Sequence, residues 1–204
     1  MKKAILRWTA VLAAFCFVAT MLAYWSYASL SDQYLASAFG SRLQTKRTLA
    51  GEPAVERSFR ATFLPPRRST PEGRLALLAL RDFRGRIMHH HLLAVLIAQR
   101  LSQRYAPDEL LALYADTIYL GNIGNQAVYG VREASRAYFN KDPEQLKIGE
   151  AAWLAGLAER PSFSAHPDRA LEKRDQLIDR MVETHLITTA EADTAKREPA
   201  PARQ

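Results

Sequence analysis

The chain has 204 residues, 48% of them hydrophobic, and a formal charge of +7. This is room for one domain plus appendages and for a packed core, which excludes a wholly disordered chain. Its single cysteine, Cys16, excludes an intrachain disulfide and a cysteine-based metal site.

The charge is unevenly placed. Residues 1–104 carry 16 Lys/Arg against 5 Asp/Glu, and residues 105–204 carry 12 against 16. The cationic half begins with Lys2, Lys3 and Arg7, and Trp8 to Ser31 then run without a charge. At 1.5 Å per residue that run is long enough to cross a bilayer core. Trp8 stands at one edge and Tyr24, Trp25 and Tyr27 at the other, where interfacial aromatics belong. Basic residues on the short N-terminal side place the N-terminus in the cytoplasm and the rest outside. Ser26 and Ala28 leave a cleaved signal peptide as the alternative, but bulky Trp25 and Tyr27 crowd that site, which favours an uncleaved anchor. A basic arm beside a membrane anchor is read as membrane-proximal, so no nucleic-acid partner is expected.

Residues 32–73 read as a linker with one short strand at Ser58–Leu64, and Pro71 and Glu72 suit a helix start. Arg74 to Tyr105 has a helical pattern, broken in two at Gly85. His89, His90 and His91 are adjacent, and on a helix such neighbours point about 100° apart, so they cannot all face one ion. No metal and no cofactor is expected.

Pro107, Asp108 and Glu109 open a further helix, whose core stripe is Leu110, Leu113, Tyr114, Thr117 and Ile118. Gly121 and Gly124 end it, and a polar loop, Asn-Ile-Gly-Asn-Gln, follows. Gly130 restarts a helix that Asn140 caps. Next come an apolar helix after Gly149-Glu150, a turn at Arg160-Pro161-Ser162, and a helix from Asp168 to Thr184. Thr188 and Glu191 form a capping box for a last short helix. The soluble part is therefore a small all-α domain. It lacks a phosphate loop, a His-Glu metal motif or a credible Ser-His-Asp set, which leaves carboxylates for acid–base chemistry. Glu150 and Glu133 have structural roles as first-turn acids. Asp116, beside the glycine loop, is the carboxylate best placed to face a cleft.

The stretch Pro107–Leu110–Leu111–Tyr114–Asp116, then Ile118-Tyr119-Leu120-Gly121, Tyr129-Gly130-Val131, Tyr138-Phe139-Asn140-Lys141 and Glu150-Ala151-Ala152-Trp153-Leu154-Ala155-Gly156-Leu157, resembles the C-terminal part of family-51 glycosyltransferases, the peptidoglycan transglycosylases. Pro161-Ser162, His166-Pro167 and Lys173 to Met181 echo later family positions, so the resemblance covers nearly half the chain. It implies a lysozyme-like helical transglycosylase domain, incomplete, behind one transmembrane helix. The divisions are 1–31 anchor, 32–73 linker, 74–198 transglycosylase-like domain and 199–204 disordered tail. The family joins lipid-linked disaccharide-peptides into glycan strands, with one glutamate as base on the acceptor hydroxyl and a second assisting the leaving pyrophosphate.

Neither glutamate has a counterpart here. The position of the first, in the nearest echo of its motif, is Arg81. Ungapped counting puts the second at Ala94, with His90 and His91 in place of Arg-Lys. The family's fourth-motif lysine is Pro107, its asparagine is Asp116, and a Ser/Thr further on is Lys147. No catalytic residue is assigned, with Asp116 as the substitute candidate beside Glu72 or a histidine. The candidate substrate-binding residues are Tyr119, Asn125, Gln126 and Arg132. The resemblance implies a lipid-linked precursor or glycan strand, the membrane and cell-wall synthesis proteins as partners. The expected place is the outer face of the bacterial plasma membrane. Three readings stay open: a divergent polymerase, a non-catalytic precursor-binding or scaffold protein, and a shortened gene product.

Overall fold

The fold is described from a computed structural model covering residues 2–64, 69–81 and 90–201, with side chains described from Leu12 on except that of His90. The expected break at Gly85, His89 and the tail beyond residue 201 lie outside these residues. Among the described residues the chain is all-α apart from one hairpin. Helix α1 (Lys2–Phe39) is followed by a 3-10 turn (Gly40–Leu43), α2 (Pro53–Ala61), α3 (Pro71–Ala79), α4 (His90–Arg104) and α5 (Pro107–Thr117). Strands β1 (Tyr119–Ile123) and β2 (Gln126–Tyr129) precede α6 (Val131–Phe139), α7 (Ile148–Glu159), α8 (Pro167–Glu183) and α9 (Thr189–Lys196).

Helix α1 is long and apolar enough to cross a membrane. It does not stop at Ser31. It continues to Phe39 and buries Ser31, Leu35 and Phe39 against the domain. The stretch expected as a linker strand is instead helical over Pro53–Ala61, and Ala54, Val55, Ser58 and Phe59 pack inward at helical spacing. Proline at the first helical position and Arg60 in the last turn suit that helix better than a strand.

The core centres on α7, whose residues Ala151 to Ala158 are all buried. It packs against α2, α8 and α9. Trp153 stacks edge-on against Tyr138 and Phe139, with ring centroids 4.8 and 5.7 Å away. Tyr114 of α5 meets Phe63 at 5.1 Å and Phe59 of α2 at 6.2 Å in the same manner. Glu159 closes α7 as a buried carboxylate, 2.7 Å from Lys173 and 3.5 Å from Arg180. Desolvating that charge is tolerable because two cations compensate it.

Local signals read from the sequence reappear as geometry. Thr70 caps α3 with Pro71 at its first position. Asn140 takes the left-handed conformation at the end of α6, φ 54°. Thr188 and Glu191 form their reciprocal cap on α9. The polar loop differs from expectation, because Tyr119 to Tyr129 pair as an antiparallel hairpin with Ile123 opposite Gln126. Gly124, at φ +56°, and Asn125 make its tight turn, and a positive φ at the first turn residue is what glycine supplies.

Candidate functional site

The hairpin and α6 form one wall of a cleft of about 800 Å³. Asp116 from the end of α5, Gln126 and Tyr129 from β2, and Arg132, Glu133 and Arg136 from α6 face it. The opposite wall comes from far upstream and contributes Arg42 and Arg47. A second cavity of about 470 Å³ shares Arg42, Tyr129 and Glu133, and extends toward Ser37–Phe39 at the end of α1.

A close backbone approach assembles the first wall. Gly130 N donates to Ile118 O at 2.8 Å, and Gly130 sits at φ +77°. A Cβ there would lie 2.4 Å from the carbonyl oxygen of Asp116. Glycine therefore lets α6 start directly on the end of α5, which brings Asp116, Arg132 and Glu133 to one surface.

Arg47 ties the two walls together. Its Nη1 donates to Asp116 Oδ1 at 2.6 Å, and its Nη2 donates to Glu52. Glu52, just ahead of α2, has a side chain only 5% exposed, and Arg132 Nη2 stands 3.7 Å from the same oxygen. Its Oε2 is buried without a hydrogen-bond partner among the described residues. Burial raises the Glu52 pKa, opposed by the hydrogen bond and charge of Arg47, while Glu144 adds to the rise and Arg132 lowers it. Burial lowers the Arg47 pKa, but the charges of Asp116 and Glu52 and the hydrogen bonds to them together hold it above its ordinary value.

The expected site residues divide into two groups. Asp116, Gln126 and Arg132 line the cleft. Tyr119 and Asn125 do not. Tyr119 packs on Tyr129, ring centroids 5.4 Å apart, and its hydroxyl donates to Asn122 at 2.8 Å. Asn125 is exposed at the hairpin turn. Glu133 accepts from Tyr129 N at 3.3 Å while facing the cleft, and Glu150 accepts from Lys147 N at 3.0 Å and pairs with Lys141. Arg42, Arg47 and Glu52 escape the sequence reading, and Tyr129 enters it only as part of the family motif. The three upstream residues sit in a stretch without periodicity, and only the fold carries them to the cleft. Ala94, where the second family glutamate would fall, is a core-facing residue of α4.

A helical domain behind an apolar N-terminal helix, with a polar cleft between the hairpin–α6 wall and Arg42–Arg47, is the architecture of the lysozyme-like helical domains found in transglycosylases. The transglycosylase family model matches residues 75–182, and the chain belongs to that family. A Cupriavidus necator protein described as a transglycosylase is 40% identical over 108 residues, 52% of this chain and 45% of that protein. Penicillin-binding protein 1F of Bacillus subtilis is 37% identical over 105 residues, 50% of this chain and 14% of its own length. Penicillin-binding protein 1A of Neisseria gonorrhoeae is 37% identical over 107 residues, 51% and 13% respectively. The chain thus spans less than half the length of these curated relatives.

Proposed function

We propose that this chain is a membrane-anchored transglycosylase-family protein of cell-wall synthesis with weak or no polymerase activity. It holds a lipid-linked disaccharide-peptide or a glycan strand in the cleft between the hairpin, α6 and the Arg42–Arg47 turn. The anchor is the apolar part of α1, with Lys2, Lys3 and Arg7 on the cytoplasmic side and the helical domain on the outer face. Cell-wall synthesis proteins are its partners in this reading.

The observation that carries the reading is the state of Asp116. A base on a sugar hydroxyl needs a carboxylate oxygen within hydrogen-bond reach of that proton. Asp116 is the substitute candidate, yet its Oδ1 is occupied by Arg47. In the nearest echo of the first glutamate motif the base position is Arg81, and ungapped counting puts the second glutamate at Ala94. Absence of a positioned general base alone lowers a rate by about 10²–10⁴.

The test is polymerisation of labelled lipid-linked precursor by the full-length chain in lipid, run beside a binding measurement on the same sample. Binding with no glycan strands is expected, and Asp116→Ala leaves that outcome unchanged. Strand formation that disappears on Asp116→Ala would establish Asp116 as a working base and overturn the non-catalytic reading.

A further inference from the structure

The two cavities of the candidate site meet at Arg42, Tyr129 and Glu133, which line both. Arg42 and Glu133 are exposed, and neither stands in an ion pair among the described residues. Glu133 accepts from Tyr129 N through Oε2 at 3.3 Å, and its Oε1 has no hydrogen-bond partner among the described residues. Tyr129 is 40% exposed. Its ring is braced by Tyr119, 5.4 Å away, whose hydroxyl donates to Asn122. An open, braced aromatic ring on a cleft wall is a preorganised apolar platform.

The other cations of the larger cavity are already neutralised. Arg47 donates to Asp116 at 2.6 Å and to Glu52. Arg132 lies 3.5 Å from Glu144 and 3.7 Å from Glu52, and Arg136 lies 2.8 Å from Asp142. Arg81 joins Arg42 on the smaller cavity and is itself engaged. A pyrophosphate needs positive charge or donors free to meet it. Here it would have to displace those carboxylates, whereas an uncharged, hydroxyl-rich ligand would not. A sugar ring matches the groups that are free. Its C–H face lies on an aromatic ring, its hydroxyls donate to a carboxylate, and its oxygens accept from a guanidinium.

We propose that Tyr129, Glu133 and Arg42 form a saccharide subsite that grips a glycan strand by its sugar rings and needs no pyrophosphate. One ring stacks on Tyr129, a hydroxyl donates to Glu133, and Arg42 donates to a hydroxyl or acetamido oxygen. From this waist the strand continues into the cavities of about 800 and 470 Å³ on either side. Glu133 acts as a binding group, with no proton transfer assigned to it. The inference rests on the cleft being the place that holds a precursor or a strand, and it locates recognition in the saccharide common to both. A strand that has left its lipid carrier is then a ligand in its own right, which suits a protein that binds without polymerising.

Fluorescence anisotropy on the full-length chain in detergent tests this. The probe is a labelled tetrasaccharide of alternating N-acetylglucosamine and N-acetylmuramic acid, free of lipid and phosphate, and labelled lipid-linked disaccharide-peptide is measured beside it. The tetrasaccharide is expected to bind, and millimolar inorganic pyrophosphate is expected not to compete. Glu133→Gln and Tyr129→Ala should each weaken binding about ten-fold, while Tyr129→Phe, which keeps the ring, should stay within about two-fold of the parent. Matching circular dichroism checks the folds, and Glu133→Gln, which preserves shape, carries the test if Tyr129→Ala disturbs the hairpin. Binding of the lipid-linked precursor without binding of the tetrasaccharide would overturn the proposal and leave the proposed function standing. Competition by pyrophosphate would overturn it too, as would tetrasaccharide binding that ignores both Glu133→Gln and Tyr129→Ala. Binding of neither ligand would remove the proposed function and the subsite together.

Discussion

The two walls of the cleft have different origins. One is built from Asp116 to Ala137, inside the segment that matches the transglycosylase family, residues 75–182. The other is built from Arg42 and Arg47, upstream of that match, and is anchored by Glu52. The first wall is held by backbone geometry and the second by charge. A backbone-built wall keeps its shape whatever its side chains do. A charge-built wall exists only while its ion pairs do, and here those pairs engage Asp116, the substitute candidate among the cleft carboxylates. The difference is that the first wall lies within the family match, whereas Arg42, Arg47 and Glu52, which engage its Asp116 and Arg132, lie outside it.

The sharpest way to break the comparison is to attack the backbone-built wall. Gly130→Val places a branched side chain at φ +77° and against the Asp116 carbonyl, 2.4 Å from where its Cβ would sit. Strain and overpacking together are expected to cost about 2–5 kcal/mol, measured by urea unfolding, with loss of ligand binding as the cleft wall shifts. The charge-built wall should give way more gently. Glu52→Ala removes the buried partner of Arg47 and Arg132, but Arg47 keeps Asp116 and Arg132 keeps Glu144. Partly exposed guanidinium groups are also rehydrated. A loss of about 1–2 kcal/mol is expected, with the helical signal in circular dichroism retained. A larger loss for Glu52→Ala than for Gly130→Val would reverse the assignment of backbone and charge to the two walls.

The same division explains what the sequence could reveal. The α5 stripe, the left-handed Asn140 and the Thr188–Glu191 box follow from contacts within one or two turns, so pattern alone places them. Asp116 is legible as a candidate because it stands at a helix end beside a glycine loop, and Gln126 and Arg132 join it in the cleft. Tyr119 and Asn125 lie off the cleft, because Tyr119 packs on Tyr129 with its hydroxyl taken by Asn122, and Asn125 stands in the exposed turn of the hairpin. The Gly-Asn turn signal was present, but both glycines of that stretch also read as a helix stop. The strand expected at Ser58–Leu64 overlaps the end of helix α2, Pro53–Ala61. The longer pattern Ala54, Val55, Ser58, Phe59 is helical, and tertiary burial decides for it. Arg42, Arg47 and Glu52 meet Asp116 and Arg132 only through tertiary packing, and no local signal foretells that.

The smallest effect separates two carboxylates by the sign of their pH dependence. Glu52 has its pKa raised, chiefly by burial, and Glu191 has its pKa lowered by hydrogen bonds from the backbone and side chain of Thr188. A raised carboxylate binds its proton more readily folded than unfolded. Its contribution is therefore fully present below the ordinary value of 4.5 and declines as the pH rises through the higher folded value. A lowered carboxylate does the reverse. Its contribution is present above 4.5 and is lost as the pH falls through the lower folded value. Unfolding free energies of the parent, Glu52→Gln and Glu191→Gln across pH 3–8 should thus diverge. The advantage of the parent over Glu52→Gln should shrink from acid toward neutral pH, and its advantage over Glu191→Gln should grow. Parallel curves for the two variants would mean that Glu52 is solvated in solution, and the upstream wall would then lose the buried anchor that holds Arg47 across the cleft.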